Sequence, residues 1–150
     1  TNSDMSRFVM SLSEAVELVK FAFLNGESGD IFVQKAPGCT IGKIADAVIT
    51  IYGQMHKFEI NNIGIRHGEK LYETLVSSEE MAVAIDCGNY FRIPIDSRSL
   101  DYGIYFNKGS NISKSFQELN SSNTFQLSIE QVIDKIKLAD KENESLLDQS

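Results

Sequence analysis

Residues 63–73 have the sequence Ile-Gly-Ile-Arg-His-Gly-Glu-Lys-Leu-Tyr-Glu. The apolar start predicts a short strand that ends at Arg66, and Gly68 suits the turn that follows. Charged side chains then lie close together. No other apolar run of the chain leads into such a concentration of charge. Such a cluster is typical either of a solvated turn with its own ion pairs or of one wall of an anion pocket. The flanking segments bear on which interpretation holds.

The segments before this stretch predict an α/β fold. A strand at residues 7–10 leads to Ser11, and Glu14 follows with the spacing of a helix capping box. The helix predicted at residues 12–24 is apolar around most of its circumference, which indicates packing on more than one side.

A βαβ-like unit is predicted next. Residues 31–33 predict a buried strand, residues 35–40 a loop, and Thr40 the N-cap of an amphipathic helix that Gly53 closes. Residues 58–65 predict the next strand, so that strands and helix alternate.

The rest of the chain is predicted to be less regular. Residues 71–76 predict a short helix, and residues 90–94 an extended segment. Ser128 and Gln131 have capping-box spacing, which predicts a last helix, and the polar tail at 140–150 is expected to fray.

Composition narrows the function classes. The chain has 150 residues, 42% of them hydrophobic, which suits one globular domain. A net charge of −7 argues against nucleic acid, because phosphate backbones attract basic surfaces. No apolar run reaches the roughly eighteen residues of a membrane span, so no membrane partner is expected. Cys39 and Cys87 make no disulfide framework, which favours the cytoplasm. Because the sequence enters a strand early and lacks an initial Met, we expect a piece of a longer protein.

Arginines are the first candidates for an anion site, because their planar forks match phosphate oxygens. Arg7 and Arg66 both occupy predicted strand ends, and Arg92 and Arg98 are further candidates. A lone arginine is more often a surface residue, and spacing alone does not show that any two converge.

Catalytic and metal motifs are weaker. His67 beside Glu69 could form an acid–base pair, but a single histidine in a turn is usually structural or solvated. His56 and His67 lack the spacing of a metal site. Cys39 precedes a helix N-terminus, which could stabilise a thiolate, although a small apolar loop residue is the commoner role. The sequence contains no Gly-x-Ser-x-Gly, Gly-x-Gly-x-x-Gly or Tyr-x-x-x-Lys. We therefore predict no catalytic, cofactor-binding or metal-binding residue here.

Several motifs resemble one family in order along the chain. Residues 5–16, 30–37 and 65–73 are similar to the substrate-binding half of nucleotide-sugar epimerases and dehydratases of the extended short-chain dehydrogenase/reductase family. The branch with the specific Arg-x-Gly-Glu-Lys-Leu-Tyr-Glu run makes polysaccharide and capsule precursors from UDP-N-acetylglucosamine. It includes 4,6-dehydratases and members named UDP-glucose 4-epimerase. The C-terminal extension of the same branch is similar to residues 90–94, 96–102 and 120–124.

This resemblance implies a substrate-binding α/β portion at residues 1–106 and a C-terminal extension at residues 107–150. It implies that Arg7 and Arg66 contact the UDP part of the substrate, with Glu69 as a third substrate-binding residue. His67 occupies a variable position of the motif, which argues further against catalysis there.

The implied reaction of the intact enzyme begins with hydride transfer from the sugar to NAD or NADP. In this family the glycine-rich cofactor loop and the Tyr/Lys pair belong to an N-terminal Rossmann half. That half is absent from this sequence, so the chain alone is expected to be inactive and the intact enzyme homo-oligomeric. One alternative is a non-catalytic domain that binds a nucleotide sugar or completes a partner chain. Another is a surface-interaction domain without a small ligand.

Overall fold

The computed structural model describes residues 1–53, 58–95 and 116–147. The helices in these ranges are α1 (Leu12–Asn25), α2 (Ile41–Tyr52), α3 (Ser78–Met81) and α4 (Ile129–Leu147). The strands are β1 (Ser6–Phe8), β2 (Ile31–Gln34), β3 (Gly38–Thr40), β4 (Thr74–Val76), β5 (Ile85–Asp86), β6 (Tyr90–Ile93) and β7 (Leu119–Asn120). The mixed α/β class is confirmed. No helix in the described ranges is long and apolar enough to cross a membrane.

The described strands form small antiparallel sheets, with the orders β1-β3, β2-β6-β5 and β4-β7. The predicted βαβ-like unit is therefore wrong, because β2 pairs with β6 and not with residues 58–65. The loop predicted at residues 35–40 is wrong at its end, where β3 pairs with β1.

Residues 58–65 contain no strand because a local turn interrupts them. The Asn62 Oδ1 accepts the Gly64 N–H at 3.0 Å, and Gly64 has a φ of 76°. Only glycine adopts that backbone conformation readily, so the extended alternation stops there. Ile63 and Ile65 stay more than half exposed on either side of this turn. Arg66 consequently follows a loop and not a strand.

Residues 71–76 also differ from the prediction of a short helix. Thr74–Val76 form β4, which pairs with β7 and buries Val76 completely. Threonine and valine are β-branched and favour a strand once a partner is present.

The helix caps follow the sequence closely. Ser11 with Glu14, and Ser128 with Gln131, form both hydrogen bonds of a capping box. Thr40 caps α2 by accepting the Lys43 N–H. These predictions are confirmed. The sequence could predict the caps because a cap depends only on residues three positions apart.

Helix α4 packs on α2, and the main core lies between them. The buried side chains of this core are Cys39, Ala47, Leu127 and Val132. The fraying predicted from residue 140 is wrong as far as Leu147, because Asp140 accepts a hydrogen bond from the Tyr52 hydroxyl. Ser13 similarly donates to Glu142 at 2.6 Å.

Helix α1 packs on only one side within the described residues. Phe21 contacts Phe32 and Tyr90, with ring centroids 5.7 and 4.5 Å away. The opposite side leaves a row of apolar residues exposed, namely Leu12, Val16, Val19 and Phe23. The prediction of packing on more than one side is thus wrong for the described part of the chain.

Candidate functional site

Arg7 lies in the middle of β1, opposite Cys39 of β3, and not at a strand end. Its side chain is 28% exposed, and its Nη1 donates to the Ser6 carbonyl at 2.7 Å. Its Nε lies 3.7 Å from the Glu73 Oε1. The guanidinium is therefore held from two directions while part of it still faces solvent.

Arg66 begins a tight turn that its own motif builds. The Glu69 N–H donates to the Arg66 carbonyl at 3.1 Å, and Gly68 has a φ of 84°. No atom lies within 4 Å of a Cβ added at Gly68, so the backbone conformation explains glycine there. Arg66 is exposed, and among the described residues no hydrogen bond or ion pair engages its guanidinium. That side chain can meet an anion without first losing a protein partner.

Glu69 holds this turn together. Its Oε2 accepts the Arg66 N–H at 2.9 Å and the Thr1 hydroxyl at 3.2 Å. The hydrogen bond from the Arg66 backbone is the main reason that the Glu69 pKa lies below its ordinary value. The Thr1 hydroxyl and the positive charge of Arg66 lower the same pKa further. The carboxylate thus shapes the backbone that presents Arg66.

The fold brings Arg7 next to the segment that carries Arg66. The Ser6 N–H donates to the Leu71 carbonyl at 2.9 Å, which ties β1 to the end of the motif. Glu73, the last residue of the motif, approaches Arg7 as described. Two stretches that lie far apart in sequence therefore meet.

The other sequence candidates lie elsewhere. Arg92 pairs with Asp30 at 2.7 Å, and Arg98 and His56 fall outside the described residues. His67 is exposed. Burial raises the pKa of the Cys39 thiol, which disfavours the thiolate that a nucleophile needs. The described ranges contain no group of three or more His, Cys, Asp or Glu residues that could hold a metal ion.

Sequence reasoning missed a buried pair of serines beside this site. The Ser6 and Ser121 hydroxyl oxygens lie 2.7 Å apart, and the Ser121 Oγ accepts the Glu73 N–H at 3.0 Å. Ser121 belongs to the 120–124 motif, but nothing in that motif distinguishes it from Ser122. Only the pairing of β4 with β7 and the position of β1 reveal it.

A separate cavity of about 560 Å³ lies beside the N-terminal part of α1. Its lining includes Glu14, Gln34, Lys35 and Tyr90, and none of Arg7, Arg66 and Glu69. Glu14 is already bound to Lys135 and Lys35 to Asp86. The cavity is therefore separate from the three candidate substrate-binding residues.

Comparisons with known proteins match both parts of the chain. The family model for polysaccharide biosynthesis protein matches residues 1–95, and the model for polysaccharide biosynthesis protein C-terminal matches residues 96–140. The X-ray structure of Pen from Bacillus thuringiensis superposes with a TM-score of 0.70 at 26% identity, over 91% of this chain and 38% of that one.

Curated relatives are named UDP-glucose 4-epimerase. The protein of Rickettsia felis is 51% identical over 132 residues, which is 88% of this chain and 38% of the relative. That of Rickettsia rickettsii is 47% identical over 146 residues, which is 97% of this chain and 42% of the relative. The chain thus spans about two fifths of the length of these relatives. The resemblance to nucleotide-sugar epimerases and dehydratases is confirmed, and this chain belongs to the polysaccharide biosynthesis protein family.

Proposed function

We propose that this chain binds the UDP part of a nucleotide sugar of the UDP-N-acetylglucosamine type. It would thereby supply the substrate-binding portion of an NAD(P)-dependent 4,6-dehydratase or epimerase for surface polysaccharide biosynthesis. The family membership and the names of the relatives support the nucleotide-sugar class. Binding energy from the remote nucleotide would orient the sugar at the reacting centre.

The main observation behind this proposal is that Arg7 lies next to the 66–73 segment. A diphosphate needs local positive charge, which a chain with a net charge of −7 must concentrate in one place. Arg66 is exposed and unpaired among the described residues, so it is the stronger anchor. Arg7 sits 3.7 Å from a single carboxylate oxygen, a distance at which a phosphate can compete for the guanidinium.

The described residues do not fit a dinucleotide cofactor. Strand β2 is followed by residues 35–37 and then β3, and not by a glycine-rich turn into a helix N-terminus. We therefore propose that the intact enzyme binds NAD or NADP outside this part of the chain. The cofactor supplies the redox chemistry there, and the residues described here bind and orient the nucleotide.

Titration with UDP, followed in the ¹H–¹⁵N NMR spectrum of the chain, tests the binding site. We expect shifts concentrated at β1 and at residues 66–73. Arg66→Ala and Arg7→Ala should each weaken binding roughly tenfold, since each removes a charge-assisted contact. Lys20→Ala is the matched control, because it removes an exposed positive charge on α1 whose one ion-pair partner among the described residues is Glu17.

A folded chain that shows no shift with millimolar UDP contradicts the proposal. The same holds if Arg66→Ala binds as tightly as the unchanged chain. Titrations with uridine and UMP separate recognition of the diphosphate from recognition of the base. UDP-glucose and UDP-N-acetylglucosamine compared in the same assay test the sugar preference.

The exposed apolar row of α1 favours a second candidate, a domain that completes a partner chain. In the part of the chain that the structure describes, strand β2 lies at an edge of its sheet, so its outer side could accept another strand in such an assembly. The coding sequence upstream of Thr1 discriminates between the two. An in-frame glycine-rich loop and Tyr-x-x-x-Lys support the enzyme, whereas a start codon at this boundary supports the partner-completing domain.

A further inference from the structure

A serine from the C-terminal part of the chain, Ser121, hydrogen-bonds both to β1 and to the 66–73 segment. Ser121 is fully buried in the turn after β7, within the segment that the C-terminal family model matches. Its Oγ accepts the Glu73 N–H at 3.0 Å and donates to the Ser6 carbonyl at 3.0 Å. The Ser6 Oγ lies 2.7 Å from the same atom.

These contacts use every hydrogen-bonding capacity of the Ser121 hydroxyl, which has one proton and two lone pairs. The proton goes to the Ser6 carbonyl. One lone pair accepts the Glu73 N–H, and the other is left for the Ser6 hydroxyl proton. Without this hydroxyl, the Glu73 N–H would lose its partner in a place where water does not reach Ser121.

The same network holds two groups that contact the Arg7 guanidinium, the Ser6 carbonyl and Glu73. The Ser6 carbonyl accepts the Ser121 hydroxyl and also the Arg7 Nη1, at 2.7 Å. Glu73 is fixed by Ser121 at two points, since the Ser121 N–H also donates to its carbonyl at 2.8 Å. Its carboxylate can therefore stay beside the Arg7 Nε.

We propose that Ser121 is a positioning residue for the nucleoside diphosphate, holding Arg7 and the 66–73 segment in one arrangement through Ser6 and Glu73. This inference rests on the function proposed above. It makes the C-terminal segment part of the binding site although Ser121 itself does not touch the ligand.

Ser121→Ala, titrated with UDP, is the direct test. We expect binding roughly tenfold weaker, because Arg7 loses its fixed geometry for a charge-assisted contact. Ser122→Ala is the matched control in the same turn. The Ser122 Oγ bonds the Asn120 Oδ1 at 2.7 Å and makes no hydrogen bond to Glu73 or β1. The control should bind UDP like the unchanged chain.

A double-mutant cycle separates positioning from a general loss of stability. In an Arg7→Ala background, Ser121→Ala should weaken UDP binding by less than it does in the unchanged chain, because part of its effect acts through Arg7. Losses that multiply independently would overturn the inference. So would a Ser121→Ala variant that binds UDP as tightly as Ser122→Ala.

Hydrogen exchange in the unsubstituted chain keeps the inference testable even if Ser121→Ala does not fold. If the network is coupled to the ligand, UDP must slow exchange of the Glu73 amide. The Cys87 amide, which donates to the Tyr90 carbonyl at 2.9 Å in the turn between β5 and β6, is the reference. Equal effects on both amides would overturn the inference. If the unsubstituted chain binds no UDP at all, the proposed function fails, and this inference fails with it.

Discussion

At the residue scale, the two arginine candidates differ in the structure in a way that their sequence context does not show. Arg7 and Arg66 look alike as strand-end arginines. In the structure Arg7 lies within β1 beside Glu73, whereas Arg66 projects from a turn. The difference comes from the turn at Asn62 and Gly64, whose side-chain hydrogen bond competes with the extended backbone that apolar alternation predicts.

Glu69 gives a residue-scale prediction about pH. Its pKa is lowered in the folded chain, mainly by the Arg66 N–H. A lowered folded pKa means that the carboxylate stabilises the turn above its unfolded pKa, and that this contribution disappears as pH falls through the folded pKa. In a ¹³C NMR titration, the Glu69 carboxyl should titrate at lower pH than in an unfolded peptide of residues 66–73. Equal midpoints would contradict the proposed capping of the turn.

The two cysteines give a second residue-scale prediction. Cys39 is fully buried with a raised thiol pKa, whereas Cys87 is partly exposed. Iodoacetamide should therefore modify Cys87 well before Cys39 in the folded chain, as mass spectrometry of the digested protein would show. Denaturant should bring the two rates together. Faster modification of Cys39 would revive its interpretation as a nucleophile at a helix N-terminus.

At the element scale, the three long helices are predictable and the strand pairings are not. A capping box and an apolar stripe need only neighbouring residues, so the starts of α1, α2 and α4 follow from the sequence. Strands β3 and β7 are short and contain glycine or asparagine. They form because β1 and β4 lie opposite them, and a local pattern does not contain that information.

The end of α4 gives an element-scale prediction. The Tyr52 hydroxyl donates to Asp140, and this bond raises the Tyr52 pKa. A raised folded pKa means that the contribution to stability is present below the unfolded pKa and is lost as pH rises through the folded pKa. Tyr52→Phe should therefore speed amide exchange at residues 140–147 near neutral pH, with little change at residues 129–139. Its stability should also fall less than that of the unchanged chain at strongly alkaline pH. Equal exchange rates at residues 140–147 in Tyr52→Phe and in the unchanged chain would contradict this.

At the scale of the whole molecule, the first and last parts share one core. Leu127 and Val132 pack with Cys39 and Ala47, and β7 supplies the only strand partner that β4 has among the described residues. The division expected from the resemblance, at residues 106 and 107, falls outside those residues.

A chain that ends at residue 106 is therefore predicted not to fold. It would lose two of the four buried members of the α2–α4 core and leave β4 unpaired. The dispersion of its ¹H–¹⁵N spectrum should collapse, whereas a chain that ends at residue 147 should keep the spectrum of the full sequence. Leu127→Ala tests the same core without a deletion and should lower the free energy of unfolding by about 2–5 kcal/mol, as expected for a buried leucine. A folded 1–106 chain that binds UDP normally would show that the C-terminal segment contributes neither core nor site, contrary to the packing of α4 and the contacts of Ser121.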